Sequence, residues 1–223
     1  MCGRFGSTKP YDDLALRLGA RTPADFQPRF NIAPTQPVAA VVNEAQRLVR
    51  DLRWGLIPSW TADPAKLRML SFNARIESLA NSPAYRSLLT SRRCAIFADG
   101  YYEWRKNADG TKTPLWIFQR GGDPFVFAGV WDEWRSRASA EIIRSCSIVT
   151  QPPNAFVASI HSRMPVVLAV EALAEWLAPD ARDAAALLRL LDPAPGERWT
   201  AYEVSPRVGN VHNDDSELIR PIA

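Results

Sequence analysis

Apolar and polar positions fall into three patterns along the chain. Continuous short apolar runs are the strongest. Arg93-Cys94-Ala95-Ile96-Phe97-Ala98 is compact enough for a central strand and stops at Asp99-Gly100, because a strand covered on both faces reads as unbroken hydrophobicity. Runs at 113–118, 124–131 and 142–150, with Gly-containing turns at 107–110 and 121–122, predict an antiparallel meander. Residues 37–42 and 47–54, partly alternating and β-branched, predict a hairpin around 43–46. Strict alternation over 71–77 puts Phe72, Ala74 and Ile76 on one side and Asn73, Arg75 and Glu77 on the other. A solvated face is the commoner use of such a polar row, and the lining of a site is the other.

Helical spacing is weaker. Thr8 can cap a short helix that has Asp12 and Asp13 in its first turn and Gly19 at its end. Ser82-Pro83 can cap another through Leu89, and a short helical piece follows Gln151-Pro152-Pro153-Asn154. Residues 171–177 and 181–191 are amphipathic and offer only packing. Residues 29–36, 54–60 and 202–214 read as loops punctuated by Pro, Gly and Asn. The expected architecture is a single domain over 1–223, an antiparallel sheet or barrel with short helices. There are no repeats, low-complexity runs or linkers.

Composition adds three constraints. The 223 residues are 47% hydrophobic and 23% charged, which suits a globular domain with an ample core. Eight tryptophans seem more than one core needs, so some are expected as flat faces of a binding surface. Net charge is +3, and of 27 basic residues only Lys9, Lys66, Lys106 and Lys112 are lysines. Arginine is the better fork for phosphate. Cys2, Cys94 and Cys146 make neither a disulfide framework nor a zinc spacing, so neither metal nor cofactor is expected. With no signal segment and no 18-residue apolar run, a cytoplasmic monomer with no membrane attachment is expected.

Candidate chemistry begins at Cys2. Removal of Met1 would leave its α-amine beside its thiol, a 1,2-aminothiol that can capture an aldehyde twice, as a Schiff base and then as a thiazolidine ring. Ordinary pKa values of about 7.7–8.0 and about 8.5 leave both groups partly unprotonated near neutrality. The plain alternative is an ordinary residue at a frayed terminus. Glu103 stands between Tyr102 and Trp104 just past an apolar strand, where burial would suit it to proton transfer, unless it is ion-paired with Arg105 or another cation. His161, one of two histidines with His212, lies in a Pro-flanked polar loop suited to a base. Trp54 reads as core, and Trp60, beyond Pro58, as a residue that could equally lie on the surface.

Taken in order, Cys2-Gly3-Arg4-Phe5, Asn31-Ile32-Ala33-Pro34-Thr35, Trp54-Gly55-Leu56-Ile57-Pro58, Asn73-Ala74-Arg75-Ile76-Glu77, Ala98-Asp99-Gly100-Tyr101-Tyr102-Glu103-Trp104, Ile160-His161-Ser162-Arg163-Met164-Pro165 and Val208-Gly209-Asn210-Val211 resemble the SRAP family of SOS response-associated peptidase-like proteins. Each motif is weak, but the ordered set spans nearly the whole chain. The resemblance implies an α+β fold, a single domain on a largely antiparallel, barrel-like β-sheet with flanking helices. It implies a sensor of abasic sites in single-stranded DNA, including junctions with duplex, that protects the lesion as a covalent thiazolidine through Cys2.

By the same resemblance Asn73 binds the sugar, Glu103 shuttles protons and His161 serves the sugar hydroxyl and crosslink reversal. Arg4 and Arg75 clamp phosphates, Pro34, Trp60 and Trp104 form a wedge and stacking platform, and Thr150 makes a minor contact to the DNA backbone. The flanks of Trp60 depart from the doubled aromatic of some members. Two rivals stand beside this reading: a non-covalent single-strand binder, and a Cys-dependent peptidase acting on itself or on other chains. Of the peptidase forms, autoprocessing fits better than general cleavage, and β-elimination at the sugar stays open.

Overall fold

The structure, a computed structural model, describes residues 2–21, 26–67, 71–192 and 195–222. In chain order its elements are β1 (Phe5–Ser7), α1 (Asp12–Arg17), β2 (Arg29–Ile32), β3 (Pro37–Val42), β4 (Val49–Trp54), β5 (Asn73–Arg75), α2 (Ile76–Leu79), α3 (Arg86–Ser91), β6 (Arg93–Ala98), β7 (Gly100–Lys106), β8 (Lys112–Gln119), β9 (Phe125–Arg135), β10 (Ile142–Gln151), β11 (Met164–Pro165), α4 (Leu173–Trp176), α5 (Ala184–Arg189) and β12 (Trp199–Glu203). Strands β10, β4, β3, β6 and β9 follow one another, and β9 pairs back onto β10, which closes a five-stranded barrel. Its β4–β10 pair is parallel and its other pairs are antiparallel. The second sheet is antiparallel, in the order β12-β8-β7-β1-β2. The fold is α+β and barrel-based.

β6 shows why an unbroken apolar run marks a central strand. Cys94, Ile96 and Ala98 point into a core shared with Phe5, Tyr101, Ile117 and Trp199 of the second sheet. Ala95 and Phe97 point the other way, into a core with Leu18, Leu88, Leu173, Trp176 and Leu187 from the helices. Each large side chain removed from water here contributes roughly 1.5–3 kcal/mol. Six of the eight tryptophans are buried, Trp104 is half-buried, and only Trp60 is exposed. The expectation that some indoles would be left for a surface therefore narrows to Trp60 and the half-buried Trp104, because the cores absorb the other six.

Other expectations shift for physical reasons. The predicted meander breaks at Gly121 and Gly122, whose φ values of 93° and 73° turn the chain out of one sheet and into the other. β8 consequently pairs with β7 and β12, and β9 with β6 and β10. β12 lies in a stretch read as leading into a loop; only Trp199 of its five residues is buried, so its sequence shows no clear period. Alternation over 71–77 stops at Arg75, where α2 begins. Thr8 does not cap α1: its backbone N–H and hydroxyl donate to Asp99 Oδ2 at 2.8 and 2.7 Å. α3 starts at Arg86, later than Ser82 suggests, and the helices predicted over 171–177 and 181–191 shorten to α4 and α5 behind a 3-10 turn and an Asp183 cap.

Residues 29–36, read as a loop, begin as β2 and end in a tight turn. Gln36 N–H donates to Ala33 O at 3.2 Å, with Pro34 and Thr35 between them. Thr35 has φ +79°, the left-handed region that the third residue of a type II turn requires and that glycine normally fills. A β-branched residue there stores on the order of 1–3 kcal/mol. The Thr35 N–H held by Trp54 O at 2.6 Å keeps it in place. Gly100 answers another constraint, since a Cβ there would lie 2.1 Å from the Trp116 indole.

Candidate active site around Cys2

Long strand β10 organises the site. Asn73 of β5 sits in parallel register with Ile148, and Arg75 with Thr150. Pro165 of β11 pairs with Thr150 from the other side, which brings the His161 loop to the same end. From the second sheet, Phe5 of β1 lies opposite Tyr101 of β7, so Cys2 and Glu103 approach from a neighbouring edge. Four stretches far apart in sequence converge by strand pairing alone.

Cys2 is fully buried. Its carbonyl accepts from Asn73 Nδ2 at 2.8 Å, and its sulfur lies 3.9 Å from Arg4 O. Asn73 Oδ1 is buried without a hydrogen-bond partner among the described residues. Burial, reinforced by the nearby Glu103 charge, pushes the Cys2 thiol well above its ordinary range, so the resting sulfur is protonated at neutral pH.

Glu103 is buried at 3% exposure. Burial raises its pKa, and His161 and the Trp104 backbone N–H oppose that rise. Glu103 Oε2 lies 3.8 Å from His161 Nε2. The ion pair weighed with Arg105 does not form, because Arg105 bonds Glu203 instead. On the far side of the imidazole, Nδ1 lies 3.1 Å from the Arg163 N and 3.3 Å from the Arg163 O, so the same residue's backbone holds the ring while Nε2 faces the carboxylate.

Arg163 was not singled out by sequence reasoning, although it stands in the same motif as His161. Its guanidinium forks onto Glu77, with Nη2–Oε2 at 3.0 Å, and donates to Thr150 O at 2.7 Å. A bidentate pair of this kind fixes orientation, and here it fixes the loop that carries His161. Thr150, expected to touch DNA, is fully buried beneath it. Its hydroxyl lies 3.4 Å from the same guanidinium.

Arg4 has resting partners within the chain. Its guanidinium bonds Asn31 Oδ1 at 3.0 Å, Val208 O at 2.6 Å and Gly209 O at 3.1 Å. In the resting chain it fastens the 208–214 segment to β2, together with Asn31 Nδ2 and with Asp214, which accepts the Asn31 N–H. Asn31, which is buried, and Asp214, which is not, were likewise missed as anchors, because partners far apart in sequence give no local signal. Arg75 is exposed beside the site and can reach a phosphate.

Trp60 is 56% exposed, yet its loop is firmly tied. Ser59 N–H donates to Asp132 Oδ2 at 2.7 Å, Asp132 holds Arg92, and Trp134 Nε1 donates to Thr61 O at 2.7 Å. A fixed, exposed indole can stack on a base with little ordering cost. Pro34 is half-buried on its strained turn, and Trp104 is half-buried against a small core that includes Tyr102, Trp116 and Val208. A cavity of about 400 Å³ lined by Tyr11, Arg29, Val49 and Asp51 contains none of these groups, so the site is defined by its side chains rather than by that hollow.

Comparison with known proteins gives the chain's family and fold. A family model described as SOS response associated peptidase (SRAP) matches residues 1–211. The chain is 36% identical over 223 residues to abasic site processing protein YoaM of Bacillus subtilis (strain 168), covering 98% of this chain and 97% of that one. It is 31% identical over 230 residues to abasic site processing protein YedK of Escherichia coli (strain K12), covering all of both. A solved structure from Bacteroides thetaiotaomicron superposes with a TM-score of 0.88 at 23% identity over the full length of both chains, a likeness of fold.

Proposed function

Because the chain belongs to the SOS response associated peptidase (SRAP) family, we propose that it processes abasic sites in single-stranded DNA by capturing the ring-opened sugar aldehyde on Cys2. The observation that carries this reading is the convergence of Asn73, Glu103 and His161 on Cys2. Loss of Met1 frees the Cys2 amine. The amine attacks the aldehyde carbon, Glu103 protonates the departing hydroxyl as water leaves, and nitrogen gives up its remaining proton to solvent as the neutral imine forms. The Glu103 carboxylate then takes the thiol proton. Sulfur attacks the imine carbon, the C=N pair passes to nitrogen, and Glu103 returns the proton there.

Amine-first order suits this thiol. A buried, protonated sulfur is a poor opening nucleophile for a peptide bond, whereas an imine is electrophilic enough to wait for it. Asn73 holds the Cys2 carbonyl and offers Oδ1 to a sugar hydroxyl, and His161 Nε2 relays protons between that hydroxyl and Glu103. Arg75 binds a neighbouring phosphate, and Trp60 stacks on a flanking base. DNA binding remains salt-sensitive, while the closed thiazolidine does not.

Intact mass after denaturation tests the reading. Protein mixed with a single-stranded oligonucleotide carrying one abasic site is expected to gain the oligonucleotide mass less one water, on a chain lacking Met1 and modified at Cys2. Unshifted protein with a verified free Cys2 terminus would reduce it to a non-covalent binder. Trp60→Ala is expected to weaken binding to undamaged single strands by about 1–3 kcal/mol at unchanged thermal midpoint, because the indole is mostly exposed; fluorescence anisotropy and a melt read the two quantities.

A further inference from the structure

One buried polar atom near Cys2 has no task in that scheme. Tyr101 precedes Glu103 by two residues on β7, so both side chains leave the same face of the strand. Its strand partner is Phe5, three residues beyond Cys2. The ring is wedged edge-on between Phe127 and Trp199, with centroids 6.3 and 5.9 Å away, in the core that also holds Cys2. The hydroxyl is buried and has no hydrogen-bond partner among the described residues. Such a group costs stability and is rare in a native core; phenylalanine would fill the same space without that cost.

The surroundings indicate what the hydroxyl faces. Burial, then the Cys2 and Glu103 charges, hold the phenol well above its ordinary ionisation range. It therefore stays protonated and serves as a donor, not as a base. At rest the Cys2 Sγ–H points to an acceptor, Arg4 O at 3.9 Å. A thiolate there would meet a carbonyl dipole of the wrong sign, and burial would leave it without water.

We infer that the Tyr101 hydroxyl is a pre-placed hydrogen-bond donor to the Cys2 sulfur, engaged when the thiol gives up its proton during ring closure. This rests on the proposed capture of an aldehyde by Cys2. The thiol proton goes to the Glu103 carboxylate, the C–S bond forms, and nitrogen receives the proton as the C=N π pair collapses onto it. Tyr101 transfers nothing and stabilises the negative sulfur between those events.

Tyr101→Phe, with Met1 removal verified by mass, tests the assignment through two pH profiles. One is alkylation of Cys2 by iodoacetamide, read on the N-terminal peptide; the other is adduct formation with abasic single-stranded DNA. Both are expected to move to higher pH by about one unit, with adduct formation at neutral pH slowed about tenfold, the worth of one hydrogen bond to a charged atom. The thermal midpoint is expected to hold or rise. Superimposable alkylation profiles, or a fall in the midpoint, would overturn the donor role. If the wild-type chain forms no adduct while the alkylation shift persists, the donor role stands and the aldehyde reading fails.

Discussion

Cys2→Ala is expected to lose the denaturant-resistant adduct entirely while keeping most of its stability. Alanine is small enough to follow Met1 removal as cysteine does, so the variant still presents an α-amine beside Asn73 and Glu103. That amine can still form an imine with the aldehyde. What it lacks is the sulfur that converts a reversible imine into a ring, so water returns the aldehyde as soon as the complex is denatured. Reduction with borohydride before denaturation should therefore recover the adduct in Cys2→Ala, and omission of reductant should lose it. Removing one buried sulfur costs about 1 kcal/mol or somewhat more in packing, within the usual range for core truncations, and binding to intact single strands should be unchanged. A stable adduct without reductant would show that another nucleophile does the chemistry. Failure even with reductant would place the lost function in the geometry of residue 2 rather than in its thiol.

Particular residues show what the sequence could and could not reveal. β6 was readable because burial on both faces writes itself as unbroken hydrophobicity. The β3–β4 hairpin was readable because its partner is adjacent in sequence. Pairing between distant strands was not: nothing in the runs at 113–118 and 124–131 says that Gly121 and Gly122 divide them between two sheets. Among site residues, the chemical type of Cys2, Asn73, Glu103 and His161 was legible, and their proximity was legible only through the family resemblance. Arg4 and Thr150 were carried over by the same resemblance, and the structure adds their resting partners, Val208 O for the guanidinium and the Arg163 fork above the buried hydroxyl. Tyr101 was invisible for a simpler reason. A tyrosine in an apolar strand reads as an aromatic, and only three-dimensional burial shows that its oxygen has no partner.

Glu103→Gln is expected to slow adduct formation by about 10²-fold or more, the range for a positioned acid–base group, while leaving affinity for undamaged single strands within about twofold. Glutamine keeps the shape and can still face His161, but it cannot carry a proton from thiol to nitrogen or to departing water. The pH dependence gives a sharper test. Because burial raises the Glu103 pKa above 4.5, the acid limb of the wild-type rate should lie above the ordinary carboxylate range, and that limb should vanish in the variant. Stability should move the other way. The folded protein binds this proton more tightly than the unfolded chain, so the associated stability is complete below pH 4.5 and is lost as pH rises through the folded value. Glutamine has no proton to lose, so the variant should gain on the wild type in that window and melt higher at neutral pH. A variant that is slower yet more stable is what a buried carboxylate kept for chemistry predicts. One that is slower and less stable, with weaker DNA binding, would mean that Glu103 holds the fold together and that proton transfer at Cys2 belongs to another group.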